Sequence, residues 1–283
     1  MDSLRLIDLL FSGREESIGV YLVDTTDGPA LFDCGPTTTL PALGAGVAAH
    51  GLELDDVRHL FLSHIHLDHA GAAGSLVRRL PELTVWVSEI GAPHLVDPSR
   101  LERSARRLYG DAFDTLWGEL APVPQANVRF AAGNVLGWEA FPTPGHASHH
   151  VGYFRDGTLL AGDAAGVRMP GSDYVLPVSP PPDIDVEVWH ATAAAIREHS
   201  PDRLALIHFG VFDDVTAHLD RLEADLDIWA NRVGDGMELD EFVELARADA
   251  GDAADAYDKV APLWQCWHGL KRYWDKKREV ATT

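Results

Sequence analysis

Short apolar runs separated by polar stretches fill the first thirty-odd positions of this chain, and the spacing then becomes helical. Residues 4–10, 18–24 and 30–33 read as strands, with Asp27-Gly28 as a hairpin turn between the last two, so an antiparallel opening of three strands is expected. Residues 37–51 place Leu40, Leu43 and Val47 on one helix face, and Gly51 stops that helix. A buried strand at 57–62, a helix at 71–80 ended by Pro81, and a β-branched and aromatic strand at 84–87 follow. Residues 91–117 are helical in patches, interrupted by Pro93, Pro98 and Gly110, and supply Leu95, Leu101, Leu108, Phe113 and Trp117 as anchors for a cover.

The second half repeats the change of period. Short strands are expected at 128–130, 136–141, 150–154 and 158–160, with Gly133-Asn134 and Asp156-Gly157 as turn pairs. The proline-rich loop Ser179-Pro180-Pro181-Pro182 leads to a helix at 185–199 that buries Val186, Trp189 and Ile196, and then to a strand at 204–207. Beyond Asp213-Asp214, read as an N-cap, everything is helical, with Val215, Leu219, Leu222, Leu226 and Trp229 in register. Two more helices occupy 238–250 and 262–277. The last carries Leu263, Trp264, Trp267, Leu270 and Trp274 on a stripe that reads as core, or more sharply as a homodimer face or a channel wall. The organisation expected is a catalytic domain at 1–212 and a C-terminal helical extension at 213–283.

Chemistry concentrates where the strand at 57–62 ends. His64-Ile65-His66-Leu67-Asp68-His69 packs three imidazoles and a carboxylate into six residues, a donor set suited to zinc, iron or manganese. Alternation points His64 and His66 the same way, and the turn at Asp68-His69 swings a second pair toward a neighbouring volume. Three later strand ends carry one ligand-type residue each: His146 in Thr143-Pro144-Gly145-His146, Asp163 in Gly162-Asp163-Ala164, and His208 in Ile207-His208-Phe209-Gly210. Together they supply the six or seven ligands of a two-metal site.

Composition narrows the partners. The chain has 283 residues, and 44 acidic side chains against 23 Lys and Arg give a formal charge of −21. That charge opposes phosphate backbones, so nucleic acid is not an expected partner. The one basic cluster, Arg100, Arg103, Arg106 and Arg107, reads as a solvated helix face. Only two cysteines, Cys34 and Cys266, are present and they are far apart, which fits a reducing compartment. The opening Met1 to Asp8 has no basic leader and no apolar run is long enough for a membrane span, so the expectation is a cytoplasmic protein without a membrane partner.

The ordered set His64-x-His66-x-Asp68-His69, His146, Asp163 and His208 resembles the metallo-β-lactamase superfamily over about residues 4–210, in a generic branch. The resemblance implies an α/β protein, a four-layer αβ/βα sandwich of two mixed sheets. It implies that His64, His66 and His146 hold one metal and Asp68, His69 and His208 a second, with Asp163 bridging them and Asp33 accepting a hydrogen bond from a ligand imidazole. Two divalent ions, zinc first with iron or manganese as alternatives, would generate a metal-bridging hydroxide. Asp68 and Asp163 would handle its proton. The implied activity is hydrolysis of a small-molecule ester, thioester, lactone or phosphodiester. The alternative is a mononuclear iron oxidoreductase similar to persulfide dioxygenases. His149, Arg168 and Tyr174, beside the His146 and Asp163 loops, are the candidate substrate contacts.

Overall fold

The structure, a computed structural model, describes residues 4–281, so the first three residues of the opening lie outside it. Among the described residues, twelve strands form two sheets of six. The first sheet contains β1 (Leu4–Asp8), β2 (Gly19–Thr25), β3 (Gly28–Phe32), β4 (His59–Phe61), β5 (Thr84–Val87) and β6 (Val128–Phe130), side by side in that order. Its first three strands are antiparallel, and β3 to β6 run parallel. The second sheet contains β7 (Gly133–Val135), β8 (Trp138–Pro142), β9 (Val151–Arg155), β10 (Thr158–Leu160), β11 (Arg203–Leu206) and β12 (Gly210–Phe212). Here β7, β8 and β9 pair antiparallel, β10 and β11 parallel, and β11 and β12 antiparallel. Two mixed sheets with helices are the expected class.

Among the described residues, six helices belong to the first half: α1 (Leu40–Ala49), α2 (Leu67–Ala70), α3 (Ala73–Arg79), α4 (Ala92–Val96), α5 (Ser99–Tyr109) and α6 (Phe113–Leu116). Five belong to the second: α7 (Val186–His199), α8 (Val215–Gly234), α9 (Leu239–Ala250), α10 (Ala254–Val260) and α11 (Leu263–Ala281). The chain forms two compact units. One comprises the residues up to Pro142 with Val151–Arg155; the other comprises Thr143–His150 and the chain from Asp156 onward.

In the first unit β4 lies between two parallel neighbours that pair both its edges, and its run is buried without alternation. Tyr153 of β9 stacks on Phe61 at 4.9 Å between ring centroids and donates its hydroxyl to the Leu62 carbonyl. The segment 91–117 does form helices. Ala105, Phe113 and Trp117 pack around Leu67 of the histidine motif, joined by Phe11 and Leu101. In the second unit the parallel β10–β11 pair needs a crossover, and α7 supplies it. Helix α8 buries Leu219, Leu222, Leu226 and Trp229, and α11 buries Leu263, Cys266, Leu270 and Tyr273.

Four details differ from expectation. Gly133-Asn134 is not the turn but the start of β7. The turn is Leu136-Gly137, both left-handed at φ 52° and 91°, with the Asn134 side chain accepting from the Gly137 amide. The strand expected at 136–141 accordingly begins at Trp138. Strand β12 was not foreseen, because three partly exposed residues carry no period. Asp214 precedes α8 without capping it, since its carboxylate is taken by Arg168 and Arg221. Trp264 lies off the buried stripe of α11, about 100° round the helix from Leu263, and is 37% exposed.

Candidate metal centre

The first unit's cluster of ligand-type residues is built on the ends of β3 and β4. Asp33 follows β3 in the left-handed region, at φ 61°, which aspartate tolerates better than most residues. Its fully buried carboxylate accepts three hydrogen bonds of 2.8 Å, from the Ser63 amide, the Ser63 hydroxyl and Nδ1 of His69. That contact fixes the ring of His69 and leaves Nε2 to face the centre. His66 is the extended residue before the single turn of α2, so its ring returns toward His64. Nε2 of His64 and Nδ1 of His66 stand 2.8 Å apart, and the His64 and His69 rings are 3.9 Å apart between centroids. The Asp68 carboxylate lies 3.8 Å from Nε2 of His69 and is 24% exposed, whereas the His69 side chain is fully buried.

The second unit's cluster rests on α7. In the loop Thr143-Pro144-Gly145-His146, Gly145 sits at φ 129°, and a Cβ there would lie 2.4 Å from the Trp189 Cα. The Asp185 amide donates to the Gly145 carbonyl at 2.9 Å, and the Thr192 hydroxyl donates to that of Pro144. Nδ1 of His146 donates to the Val178 carbonyl at 2.6 Å, again leaving Nε2 to face the centre. Asp163 lies on the short 3-10 turn Gly162–Ala165 that follows β10. Its two oxygens face different rings, Oδ2 at 3.4 Å from Nε2 of His146 and Oδ1 at 3.8 Å from Nε2 of His208.

Among the described residues, His64, His66, Asp68 and His69 gather their ligand-type atoms in the first unit, and His146, Asp163 and His208 gather theirs in the second. Imidazole nitrogens and carboxylate oxygens fit a divalent ion of borderline or hard character, and these His and Asp groups are able to bind metal.

A family model for the metallo-beta-lactamase superfamily matches residues 14–210. The chain belongs to this superfamily. Its sheets and C-terminal helices are the metallo-β-lactamase fold. Among curated relatives, the metallo-beta-lactamase fold-containing protein ST1585 of Sulfurisphaera tokodaii is 29% identical over 190 residues, which cover 63% of this chain and 71% of the relative. The crystal structure of ST1585 superposes with a TM-score of 0.65 over 96% of this chain and 99% of the other, at 22% identity. A second superfamily structure, TTHA1429 from Thermus thermophilus, gives 0.70 over 98% and 93% at 20% identity, a likeness of fold alone. The hydroxyacylglutathione hydrolase of Shewanella halifaxensis is 25% identical over 150 residues, 53% of this chain and 43% of the relative, so the chain spans less than half of that enzyme's length.

The remaining candidates lie nearby in sequence but have their own partners. His149 is buried. The Arg168 guanidinium meets Asp214 at 2.6 Å and Asp173 at 3.2 Å and lies over the Phe212 ring. Tyr174 packs edge-on against Tyr257, and burial, with Asp225 adding to it, pushes its phenol far above the ordinary tyrosine range. Sequence reasoning assigned no role to Ser63, which bonds Asp33 and lies 3.0 Å from Nδ1 of His64. His150, which the sequence offers with His149 either as a contact of substrate or ligands or as a polar pair at a strand start, accepts the Asp163 amide at Nε2 while Nδ1 meets the Thr143 hydroxyl at 2.7 Å. Trp189 was read as core only, yet it packs edge-on against His146 and donates Nε1 to the Ala164 carbonyl at 2.7 Å. A serine inside a ligand motif is the one local signal among these.

Proposed function

We propose that this chain is a dinuclear metal-dependent hydrolase of small molecules, acting on an ester, thioester, lactone or phosphodiester. A thioester is the first class to test. The observation that carries the reading is the Asp163 carboxylate, with one oxygen toward His146 and the other toward His208, as a bridging ligand requires. In this reading His64, His66 and His146 hold one ion, Asp68, His69 and His208 hold the other, and Asp163 joins them. When bound, the ions supply an activated water at neutral pH and an electrophile for the substrate oxygen.

The protein's own contribution is orientation and proton handling. Asp33 and the Val178 carbonyl fix His69 and His146 so that the second nitrogen of each is the donor. The partly exposed Asp68 can take a proton from the attacking water and pass it to solvent. The thioester preference rests on the hydroxyacylglutathione hydrolase relatives, and a small-molecule partner fits a surface carrying a net −21. Two buried free thiols, Cys34 and Cys266, suit a reducing compartment such as the cytoplasm. Among the described residues no helix is long and apolar enough to cross a membrane.

The test is metal analysis of protein reconstituted with zinc, iron or manganese, followed by a panel of thioesters, esters, lactones and phosphodiesters. Two ions per chain, turnover of at least one class, and at most one tightly held ion in Asp163→Ala are expected. Two tight ions in that variant, or no divalent affinity in the wild type, would overturn the reading. A single Fe(II) with oxygen consumption points instead to the oxidoreductase alternative.

A further inference from the structure

The C-terminal helix α8 reaches the Asp163 turn through one buried histidine. His218 is fully buried and donates Nε2–H to the Ala165 carbonyl at 2.7 Å, two residues beyond Asp163. Its Nδ1 lies 3.4 Å from Nη1 of Arg168. One position further along the chain, Leu222 of the same helix packs where a side chain on Gly166 would go: a Cβ there would lie 2.9 Å from the Leu222 Cδ1. Gly166 in turn donates its amide to the Asp163 carbonyl at 3.0 Å.

Arg168 performs the corresponding task for His208. Its amide donates to the His208 carbonyl at 2.8 Å, and its carbonyl accepts the Phe209 amide at 3.1 Å, so the His208–Phe209 peptide is held from both ends. Its side chain is locked in turn. Nη1 meets Asp214 at 2.6 Å, Nε donates to the Ser172 carbonyl at 2.8 Å, Nη2 meets Asp173 at 3.2 Å, and the guanidinium lies 4.4 Å over the Phe212 ring. Only 6% of the residue is exposed. A guanidinium so engaged cannot clasp a substrate without giving up Asp214, whose carboxylate is partly exposed while the guanidinium itself is buried.

We propose that Arg168 and His218 are positioning residues for Asp163 and His208, and that α8 is thereby a working part of the metal centre rather than an appendage. The inference rests on the reading that Asp163 and His208 are ligands. Apolar packing alone would hold α8 against its unit just as well. The bonds found here are directional and end within two residues of the candidate bridging carboxylate or on the peptide of its histidine neighbour, which is how partners outside the ligand set tune affinity.

The experiment compares the wild type with His218→Phe, His218→Gln, Arg168→Met and Arg168→Lys. Chelator competition measures the affinity of each ion, the absorption spectrum of the cobalt-substituted protein reports ligand geometry, and the thermal midpoint of metal-free protein serves as control. His218→Phe and Arg168→Met should weaken one of the two ions about 10–100-fold and change the cobalt spectrum. His218→Gln keeps a donor for Ala165 and should recover most of that affinity, even where its metal-free midpoint falls as far as that of His218→Phe. Wild-type affinity and an unchanged spectrum in both disruptive variants overturn the proposal, as does affinity loss that simply follows the metal-free midpoint across all four. If a disruptive variant does not fold, the Gln and Lys variants decide in the same way. Wild-type protein that binds no divalent ion would remove the ligand reading and this inference together, whereas two tight ions unmoved by the variants would remove this inference alone.

Discussion

Asp33, Ser63 and His69 form a buried knot in which one carboxylate satisfies three donors, and the geometry explains why aspartate stands at this left-handed position. Glycine would relax the backbone but remove every bond. His218 makes a comparable commitment in the second unit, and here the consequence can be measured. Burial, helped by Arg168 and partly opposed by the bond to Ala165, holds its pKa at about 4 against an ordinary 6.5. A depressed histidine pKa means that the unfolded chain binds the proton more tightly. The stabilisation is therefore complete above about pH 6.5 and disappears as pH falls toward 4. Between pH 7.5 and 4.5 metal-free wild type should lose about 2–3 kcal/mol more than His218→Gln in denaturant unfolding, and parallel pH curves for the two would contradict the assignment. At this scale the candidate ligands stood out because imidazole and carboxylate cluster in six consecutive residues or close a strand. His218 was not, since its partner lies 53 positions away and leaves no local trace.

Among the elements, strands and helices showed their presence in the sequence better than their ends. The run 57–62 announced β4 because Leu60, Phe61 and Leu62 are consecutive apolar residues, all fully buried, as in a strand of a parallel sheet covered on both faces. The Leu136-Gly137 turn stayed hidden, because leucine rarely accepts a left-handed backbone and Asn134, the residue that attracted the prediction, acts one step earlier through its side chain. The tryptophans of α11 misled by one position. Trp267 and Trp274 turn inward and donate to the Met237 and Ala230 carbonyls, while Trp264 faces outward. Helix α7 allows a sharper test. Gly145→Ala places a Cβ 2.4 Å from the Trp189 Cα in a backbone region that side chains avoid. The substitution should cost about 2–4 kcal/mol and weaken metal retention, as read by thermal unfolding and chelator competition. A variant as stable as the wild type would mean that the loop has room it is not shown to have.

For the molecule as a whole, the sequence proposed a division at residue 212, and contacts follow a different line. Helices α8 to α11 belong to the same compact unit as β10, β11 and β12, and their buried residues Leu219, Leu222, Trp229, Tyr257 and Leu270 share its interior. A chain ending at Phe212 should therefore fail to fold, giving aggregated protein and no cooperative unfolding transition by circular dichroism. A soluble, cooperatively folding 1–212 fragment would show that the extension is separable. Net charge was legible at once, since 44 acids against 23 bases need no fold to be counted, but the sharing of a core between distant segments has no signature in composition. Trp189 remains. One indole both walls in His146 and grips the carbonyl beside Asp163, so a rocking of its helix carries an imidazole and a carboxylate along in phase. Slow breathing of that helix would then shift where these two groups lie without altering the gap between them, and the grip on a cation would survive motion that looser mountings would turn into leakage.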